Sequence, residues 1–216
     1  MFGRIGLCAK LPIGSSVFIS SGPQSRGHFQ TTTIPPVSCF YSPPGKLCRQ
    51  VDLIIMIIIE RLSPHHHRHD FDCGVQELNS YLQRYSGQHE RKGIGRTYVA
   101  LRQGETRVLG YYTISSSAVA FDLVAENLPR HPVPVALVGR LAVDNSARGQ
   151  RLGEALLIHA LRSALRAAKI VGIYAVVVDA IDESAKSFYL KYGFNELTDD
   201  HLHLYLPMKA IERLDL

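Results

Sequence analysis

The segment from Val138 to Glu154 has the residue types and spacing that suit a pyrophosphate. A predicted strand, Val135–Val143, leads through a turn containing Gly149 into a helix predicted to begin near Leu152. Such a turn leaves backbone N–H groups unpaired and points the positive end of the helix at one place, which suits a phosphate anion. The GxGxxG dinucleotide fingerprint and the Gly-Lys-Ser/Thr of a P-loop are both absent. Many helices begin after glycine without any ligand, so the turn alone is a weak signal.

The same segment resembles motif A of the GNAT acetyltransferases, which reads Arg/Gln-x-x-Gly-x-Gly/Ala after a signature strand. In that family the strand carries a bulge and splays from its neighbour, and acetyl-CoA lies in the opening. The resemblance implies that Leu141, Ala142 and Val143 hold the pantetheine of acetyl-CoA. It also implies that the pyrophosphate is held by Arg148, Gly149, Gln150, Arg151, Leu152, Gly153 and Glu154.

Arg151 departs from this motif, which usually has glycine at its position. If the backbone needs a positive φ there, an arginine strains it. If only the amide is used, nothing is lost and the guanidinium adds a charged contact. We favour the second reading, because a residue in the first turn of a helix normally has a negative φ.

Tyr189 lies in the pattern Ala-x-x-Phe-Tyr-x-x-x-Gly-Phe, which begins at Ala185 and resembles GNAT motif B. Ala185 and Tyr189 share a helix face, and the small residue leaves room for a thioester. The resemblance implies that Tyr189 donates a proton to the departing thiolate, whose pKa is about 8.5. The alternative is a core aromatic residue. No unique general base stands out: Glu105 and Asp144 are candidates, and water suffices for an amine of pKa about 8.

Other segments narrow the resemblance to the GNAT toxins of bacterial toxin–antitoxin pairs, over about Ile57–Leu206. They are Phe71–Val75, Thr97–Val99, Gly110–Ser115 and Val138–Val143. The resemblance implies acetylation of the α-amino group of aminoacyl-tRNA, arrest of translation, and a ribbon-helix-helix antitoxin as partner, with a homodimer as a further expectation. Esterification to tRNA removes the carboxylate charge of the amino acid, which lowers the pKa of its α-amino group.

Two alternatives to the toxin reading stay open. One is a GNAT enzyme that acetylates a small amine or a protein N-terminus, since such an enzyme has the same motifs. The other is a non-catalytic acyl-CoA-binding module, which would keep the turn and lose Tyr189. The presence of that tyrosine argues against the module.

The elements that must position these residues follow from the apolar pattern. A β-α-β unit with antiparallel strands around it predicts a mixed α/β (α+β) sheet flanked by helices. Asp70 and Asp72 are expected to cap a first helix with apolar positions at Val75, Leu78, Leu82 and Tyr85. The remaining predicted elements are the strands Thr97–Arg102, Val108–Ser115, Val135–Val143, Ile173–Asp179 and Leu202–Leu206 and the helices 152–168 and Asp182–Lys191.

The net charge of +5 is spread unevenly over the 216 residues. Residues 1–55 hold five Lys/Arg and one acid, whereas residues 56–216 hold 19 Lys/Arg and 18 acids. Within the second part the basic residues cluster, and clustered cations can contact nucleic-acid phosphates. We predict that tRNA contacts Arg84, Arg91, Lys92, Arg96 and Arg140; the alternative is an ordinary solvated face.

Composition predicts a cytoplasmic protein that contacts no membrane and needs no metal. The longest apolar run, Leu53–Ile59, is far shorter than the roughly 20 residues of a bilayer span. The four cysteines show no CxxC spacing, which fits a reducing compartment. The histidines at 65–67 and 69 lack the partner spacing of a zinc site.

Residues 1–55 are rich in Ser, Gly, Pro and Thr and show no apolar period. We expect either that Met56 is the natural start, with residues 1–55 a disordered leader or translated upstream sequence, or that this segment is a genuine flexible extension. Residues 56–216 are expected to form the acetyltransferase domain.

Overall fold

The computed structural model describes residues 56–124 and 130–214, and the predicted extension, residues 1–55, lies outside the described residues. Seven strands form one sheet. They are β1 (Ile57–Arg61), β2 (Arg96–Arg102), β3 (Gly110–Val119), β4 (Val133–Val143), β5 (Ala175–Asp179), β6 (Asn195–Glu196) and β7 (His203–Pro207).

The strands lie in the order β1-β2-β3-β4-β5-β7-β6. The central pair, β4 and β5, is parallel, and every other pair of neighbours is antiparallel. A parallel pair needs a long crossover, which here contains the helix Leu152–Ala168. The predicted mixed sheet around one β-α-β unit is therefore confirmed.

Five α-helical segments flank the sheet: α1 (Gln76–Ser80), α2 (Ser86–Lys92), α3 (Leu152–Ala168), α4 (Glu183–Leu190) and α5 (Met208–Ile211). A π-helical turn, Tyr81–Tyr85, joins α1 to α2, and 3-10 turns occur at Phe121–Leu123 and Asn145–Ala147. The long α3 has the predicted bounds, and one of its faces is buried. Among the described residues, no helix combines the length and the hydrophobicity that a membrane crossing needs.

The two faces of the sheet are covered by different helices. Alternate residues of a strand point to opposite faces, and adjacent residues such as Tyr111 and Tyr112 indeed belong to different hydrophobic clusters. One face packs against α3, α4 and α5 through residues such as Leu141 and Tyr189. The opposite face packs against α1 and the π turn through residues such as Leu82. The sheet thus separates two helical layers.

The prediction of the first helix is wrong in two details. The π turn inserts one extra residue into the helical repeat, so the stripe that buries Leu78 and Leu82 does not continue to Tyr85, which is 48% exposed. Asp72 does not cap the helix either. Its carboxylate accepts hydrogen bonds from the Gly74 N–H and from the side-chain amides of Asn79 and Asn145, and it thereby holds the loop before α1 against the loop after β4.

Helix α3 has a buried histidine near its centre. His159 is 3% exposed, and its Nδ1 lies 2.7 Å from the hydroxyl oxygen of Tyr112. Burial, followed by the charges of Arg166 and Arg162, lowers the pKa of His159 to about 4. The imidazole is therefore neutral in the folded protein at neutral pH.

We expect this histidine to make the protein acid-sensitive. Because its folded pKa of about 4 is below the unfolded value of 6.5, the folded state resists protonation. Stability is then lost as the pH falls from about 6.5 to about 4, by up to about 3 kcal/mol. Urea unfolding at pH 7 and pH 4.5 should show a smaller loss for His159→Gln than for the wild type. The exposed control, His131→Gln, should lose as much as the wild type; equal losses in all three proteins would contradict the assignment.

Candidate active site

The centre of the sheet opens where β4 and β5 part. The two strands pair from Val135 to Val138 on β4 and from Ala175 to Val178 on β5, and β4 then continues to Val143 without that neighbour. The register between β3 and β4 shifts between Thr113 and Ile114, which leaves Gly139 as an extra residue. Gly139 is therefore a β-bulge, and a bulge bends its strand and disrupts pairing.

The bulge decides which backbone groups face the opening. Before the bulge, the Pro134 carbonyl accepts a hydrogen bond from the Tyr174 N–H. The even-numbered residues in this part of β4 therefore direct their N–H and C=O groups at β5. After the bulge, the Asp144 N–H donates to the Leu109 carbonyl. The even-numbered residues in that part of β4 therefore direct their N–H and C=O groups at β3. Leu141 and Val143 consequently turn their N–H and C=O groups into the opening. Of the three residues predicted to hold pantetheine, Ala142 differs, because its backbone groups face Tyr111 on β3.

The turn before α3 presents a set of free backbone N–H groups. Within the described part of the chain, no acceptor is bonded to the N–H groups of residues 149–154, whereas that of Ala155 already donates to the Arg151 carbonyl. These are the orphan donors of the helix N-terminus together with those of the preceding turn. Such a set of donors suits an anion, and the positive end of α3 adds to it, so the turn is called the anion cradle below.

Arg151 contradicts the favoured reading of the sequence. It is the N-cap of α3 with φ +56°, the sole positive φ at a non-glycine residue in the described ranges. The prediction of a negative φ was wrong because Arg151 precedes the first helical residue rather than lying within the first turn. Its guanidinium makes two bonds to Glu154, at 2.5 and 2.7 Å, and so neutralises a carboxylate beside the cradle.

The strain at Arg151 leads to a stability prediction. Arg151→Gly and Arg151→Ala both lose the contact with Glu154, but only alanine keeps a Cβ at a positive φ. We expect the glycine variant to melt roughly 2–4 °C above the alanine variant. Thermal unfolding of the cofactor-free proteins measures the difference, and equal melting temperatures would show that the turn adopts another conformation.

A cleft of about 140 Å³ lies in front of this turn. Its walls include seven residues that the sequence predicted: Val143, Arg148, Gly149, Arg151, Leu152, Gly153 and Glu154. Gln150 does not line it; its side chain is exposed and bonds the Ser146 carbonyl at 3.4 Å. Arg148 also donates to the Cys73 carbonyl at 2.8 Å, so it braces the loop before α1 as well as lining the cleft.

The opposite wall comes from α4 and was not predicted. It consists of Ser184, Ser187, Phe188, Lys191 and Tyr192. These positions follow the spacing i, i+3, i+4, i+7 and i+8, which places them on one face of a helix. That spacing is visible in the sequence, and it could have identified this wall. Burial and the charge of Glu154 raise the pKa of Tyr192 to about 12, so its phenol adds no negative charge to the cleft.

Tyr189 is fully buried on the other side of α4. Its ring packs against Phe188 and Phe194, and among the described residues its hydroxyl has no hydrogen-bond partner. Burial, and then the charge of Asp179, raise its pKa, so the hydroxyl keeps its proton. A buried hydroxyl without a partner is costly to a fold, and a leaving sulfur in the opening would supply one. Tyr189 lines neither of the two clefts, so its predicted catalytic role stays a prediction.

A second cleft, of about 220 Å³, lies on the opposite face of the sheet. Its walls are Tyr81, His89, Ile94, Gly95, Thr113, Ser115, Leu137, Gly139, Arg140 and Asp179. The guanidinium of Arg140 lies 3.8 Å above the ring of Tyr81. Because Gly139 and Asp179 stand at the point where β4 and β5 part, this cleft reaches the opening from the α1–α2 side.

The other predicted tRNA contacts lie in elements next to this second cleft, and none of them lines it. Arg84 lies in the π turn, Arg91 and Lys92 end α2, and Arg96 begins β2, all with exposed side chains. Arg96 is partly engaged, because its guanidinium donates to the Glu90 carbonyl at 3.2 Å.

The carboxylates considered as bases lie elsewhere. Asp144 is 3% exposed and accepts bonds from the Asp72 and Ser146 N–H groups, so it holds a loop. Glu105 is exposed in the β2–β3 hairpin. In the histidine cluster, His65 and His66 approach Glu60, but both ring nitrogens of His66 are engaged: Nδ1 accepts from the Ser63 N–H and Nε2 lies 2.7 Å from Glu60.

Comparison with known proteins agrees with this geometry. Residues 93–196 match the family model described as an acetyltransferase (GNAT) domain. The chain is 36% identical to a tRNA-acetylating toxin of Mycobacterium tuberculosis over 148 residues, which are 67% of this chain and 87% of the relative. It is 29% identical to the probable toxin TacT of Sinorhizobium fredii over 170 residues, or 73% of this chain and 94% of the relative.

Solved structures give the same result. A Tyr-to-Phe mutant of KacT superposes with a TM-score of 0.70 at 36% identity, covering 73% of this chain and 98% of that one. AtaT complexed with acetyl-methionyl-tRNAfMet superposes with a TM-score of 0.68 at 32% identity, covering 72% and 97%. The predictions of an acetyltransferase and of its fold are confirmed, and the chain belongs to the GNAT acetyltransferases, in the group of GNAT toxins of toxin–antitoxin systems.

Proposed function

We propose that this protein is a toxin that transfers the acetyl group of acetyl-CoA to the α-amino group of aminoacyl-tRNA and thereby blocks translation. One observation carries the proposal. Two clefts of different chemistry lie beside the parted strands on opposite faces of the sheet. One has the anion cradle, and the elements around the other carry a set of exposed cations, here called the basic rim: Arg84, Arg91, Lys92 and Arg96. Such an arrangement suits two large anionic substrates that must meet at a single bond.

On the first face, the backbone binds the donor substrate. The N–H groups of residues 149–154 suit the pyrophosphate of acetyl-CoA, and Lys191 on α4 adds a positive charge to the same cleft. Leu141 and Val143 offer peptide groups to the amides of the pantetheine arm. A thioester that follows those groups into the opening approaches Tyr189, whose hydroxyl donates its proton to the departing sulfur.

On the second face, side chains bind the acceptor. Arg140 is held flat by its contact with Tyr81 and lies closest to the opening, where the terminal nucleotide and its amino acid must sit. Arg84, Arg91, Lys92 and Arg96 extend the positive surface outward along α2 and β2, as a tRNA acceptor stem requires.

The proposal includes the partners and the location of such a toxin. AtaT has been solved bound to the C-terminus of its antitoxin AtaR, and KacTA in complex with DNA. By likeness we propose a protein antitoxin of the ribbon-helix-helix type for this chain, a homodimer as its own assembly, and the cytoplasm as its location. A small ribbon-helix-helix gene next to this one would support the antitoxin.

Transfer of labelled acetyl groups tests the substrate. We expect label on charged tRNA and none on the same tRNA after deacylation, because the acceptor is the amine of the esterified amino acid. Expression in bacteria without an antitoxin should arrest growth and translation. Equal labelling of both tRNAs, or brisk activity on a small polyamine with none on tRNA, would leave an acetyltransferase of another specificity.

Charge reversal tests the basic rim. Changing Arg91, Lys92 and Arg96 to glutamate should weaken tRNA use and flatten its dependence on salt, because phosphate contacts release counterions. Binding of acetyl-CoA should not change. The matched control reverses the exposed residues Lys169, Lys209 and Arg213, which lie at the far end of α3 and in and after α5. Equal losses in both triple variants would mean that only net charge matters.

A further inference from the structure

We propose that Asp179 is the residue that binds the acceptor amine and takes its proton during acetyl transfer. This inference rests on the proposed function and names the missing base for it. Asp179 is the last residue of β5 and follows directly on Val178, the last residue of β5 that pairs with β4. Its carboxylate therefore stands at the point where the sheet opens.

The side chain of Asp179 faces the acceptor side. Residues 175 and 177 of β5 belong to the cluster formed with Val135 and Tyr205, whereas Val176 and Val178 pack towards α3 and α4. Because alternate residues of a strand point to opposite faces, Asp179 points away from the first cleft, which holds the anion cradle and is called the donor cleft here. Asp179 indeed lines the second cleft. It is the sole carboxylate among the residues that line that cleft.

The charge balance of the cleft requires such a group. Arg140 is the permanently charged side chain among the other residues of its wall, and a guanidinium repels the ammonium form of an amine. Asp179 supplies the opposite charge at the opening. It is also the charged neighbour that acts on Tyr189, and the two side chains lie on opposite faces of the sheet, because Tyr189 packs on the α3–α4 side and Asp179 lines the second cleft.

A path for the proton leads from Asp179 to solvent. Its Oδ1 lies 3.6 Å from Nε2 of His203, and Nδ1 of the same ring lies 2.9 Å from the Asp199 carboxylate. The side chain of His203 is 21% exposed and that of Asp199 36%. The imidazole of His203 thus lies between the two carboxylates and joins Asp179 to the partly exposed Asp199.

The amine nitrogen forms a bond to the acetyl carbon while the carbon–sulfur bond breaks. One proton of the nitrogen passes to the carboxylate of Asp179, and the proton of the Tyr189 hydroxyl passes to the sulfur. Exchange with solvent, through His203 on the one side, then restores both groups. Burial raises the pKa of Asp179, the charge of His203 lowers it, and Asp199 and Asp200 raise it, so the carboxylate is a stronger base than an exposed aspartate.

The experiment compares Asp179→Asn, His203→Gln and the control Asp122→Asn, whose exposed side chain lines neither cleft. Acetyl transfer to charged tRNA is measured from pH 5 to 9, together with the rise in melting temperature caused by acetyl-CoA. Asp179→Asn should lower kcat/KM by about 10²-fold or more while keeping that rise, and Asp122→Asn should match the wild type. Asp179→Glu should recover part of the lost rate.

The pH profile separates a base from a structural residue. His203→Gln removes the positive charge that lowers the pKa of Asp179, so the acid limb of kcat/KM should move to higher pH. Arg140, His89, Tyr189, Asp199 and Asp200, which also surround the carboxylate, are unchanged in that variant. An Asp179→Asn rate within threefold of the wild type, or an acid limb that does not move in His203→Gln, overturns the proposal. A wild type inactive on charged tRNA overturns the proposed substrate instead.

Discussion

Tyr189→Phe is expected to slow acetyl transfer by about 10²–10⁴-fold and, at the same time, to stabilise the cofactor-free protein. The rate falls because the ring stays in place while the proposed proton donor to the sulfur is lost. Stability rises because the hydroxyl is buried without a partner among the described residues. Removing such a group relieves a cost of about 1–3 kcal/mol. Binding of acetyl-CoA should not change.

Tyr112→Phe is the matched control for this result. Both tyrosines are fully buried, but the Tyr112 hydroxyl is bonded to His159. Loss of the Tyr112 hydroxyl leaves Nδ1 of the buried His159 without this partner. Tyr112→Phe should therefore be less stable than the wild type and should keep the transfer rate of the wild type. Single-turnover acetyl transfer and urea unfolding measure the two effects. A Tyr189→Phe variant with the full rate would falsify the role of the tyrosine and leave the rest of the site standing.

Gly153→Glu is expected to abolish the binding of acetyl-CoA. Gly153 is buried as the second residue of α3 and lines the donor cleft beside the free N–H groups of the turn. A glutamate there fills the cradle and brings a negative charge to a site that must hold a pyrophosphate. In the wild type, a ligand at 100 times its Kd stabilises the fold by about 2.7 kcal/mol, which is roughly 5–11 °C for a chain of this size.

The control for Gly153→Glu is Gly172→Glu, which adds the same side chain and charge. Gly172 has open space around its Cα and lies between α3 and β5, at the end of α3 opposite the cradle. We expect this variant to keep the full rise in melting temperature. Circular dichroism of both cofactor-free variants establishes that each is folded. A normal rise in Gly153→Glu would remove the assignment of the cradle.

The donor side of the site could be predicted because its parts are continuous in sequence. Strand, turn and helix from Val138 to Glu154 carry their own apolar pattern and turn residues, and Tyr189 stands in a single helical motif. What failed there was local backbone detail. The left-handed conformation of Arg151 depends on where α3 begins within one residue, and the pattern of apolar residues does not define that boundary.

The acceptor side could not be predicted in the same way. Its cleft combines the π turn, α2, β3, β4 and the end of β5, which are far apart in the chain. In the sequence, Asp179 is one of six acidic residues between positions 179 and 200. Only the sheet order and the alternation of β5 single it out, since they place its carboxylate at the opening and turn it towards Arg140.

The bulge at Gly139 has a consequence for what the opening can accept. Proteins normally confine unpaired strand groups to the outer edges of a sheet, where they are open to any passing chain. Here the unpaired backbone groups of Leu141 and Val143 lie on β4, a central strand of the sheet. The side chains of β4 are already packed on both faces of the sheet. A second polypeptide would have to find room for its own side chains above and below that plane. A thin, unbranched ligand with amides spaced along it meets no such obstacle. The opening between β4 and β5 therefore admits such a ligand and excludes a polypeptide strand, whose side chains make it thicker.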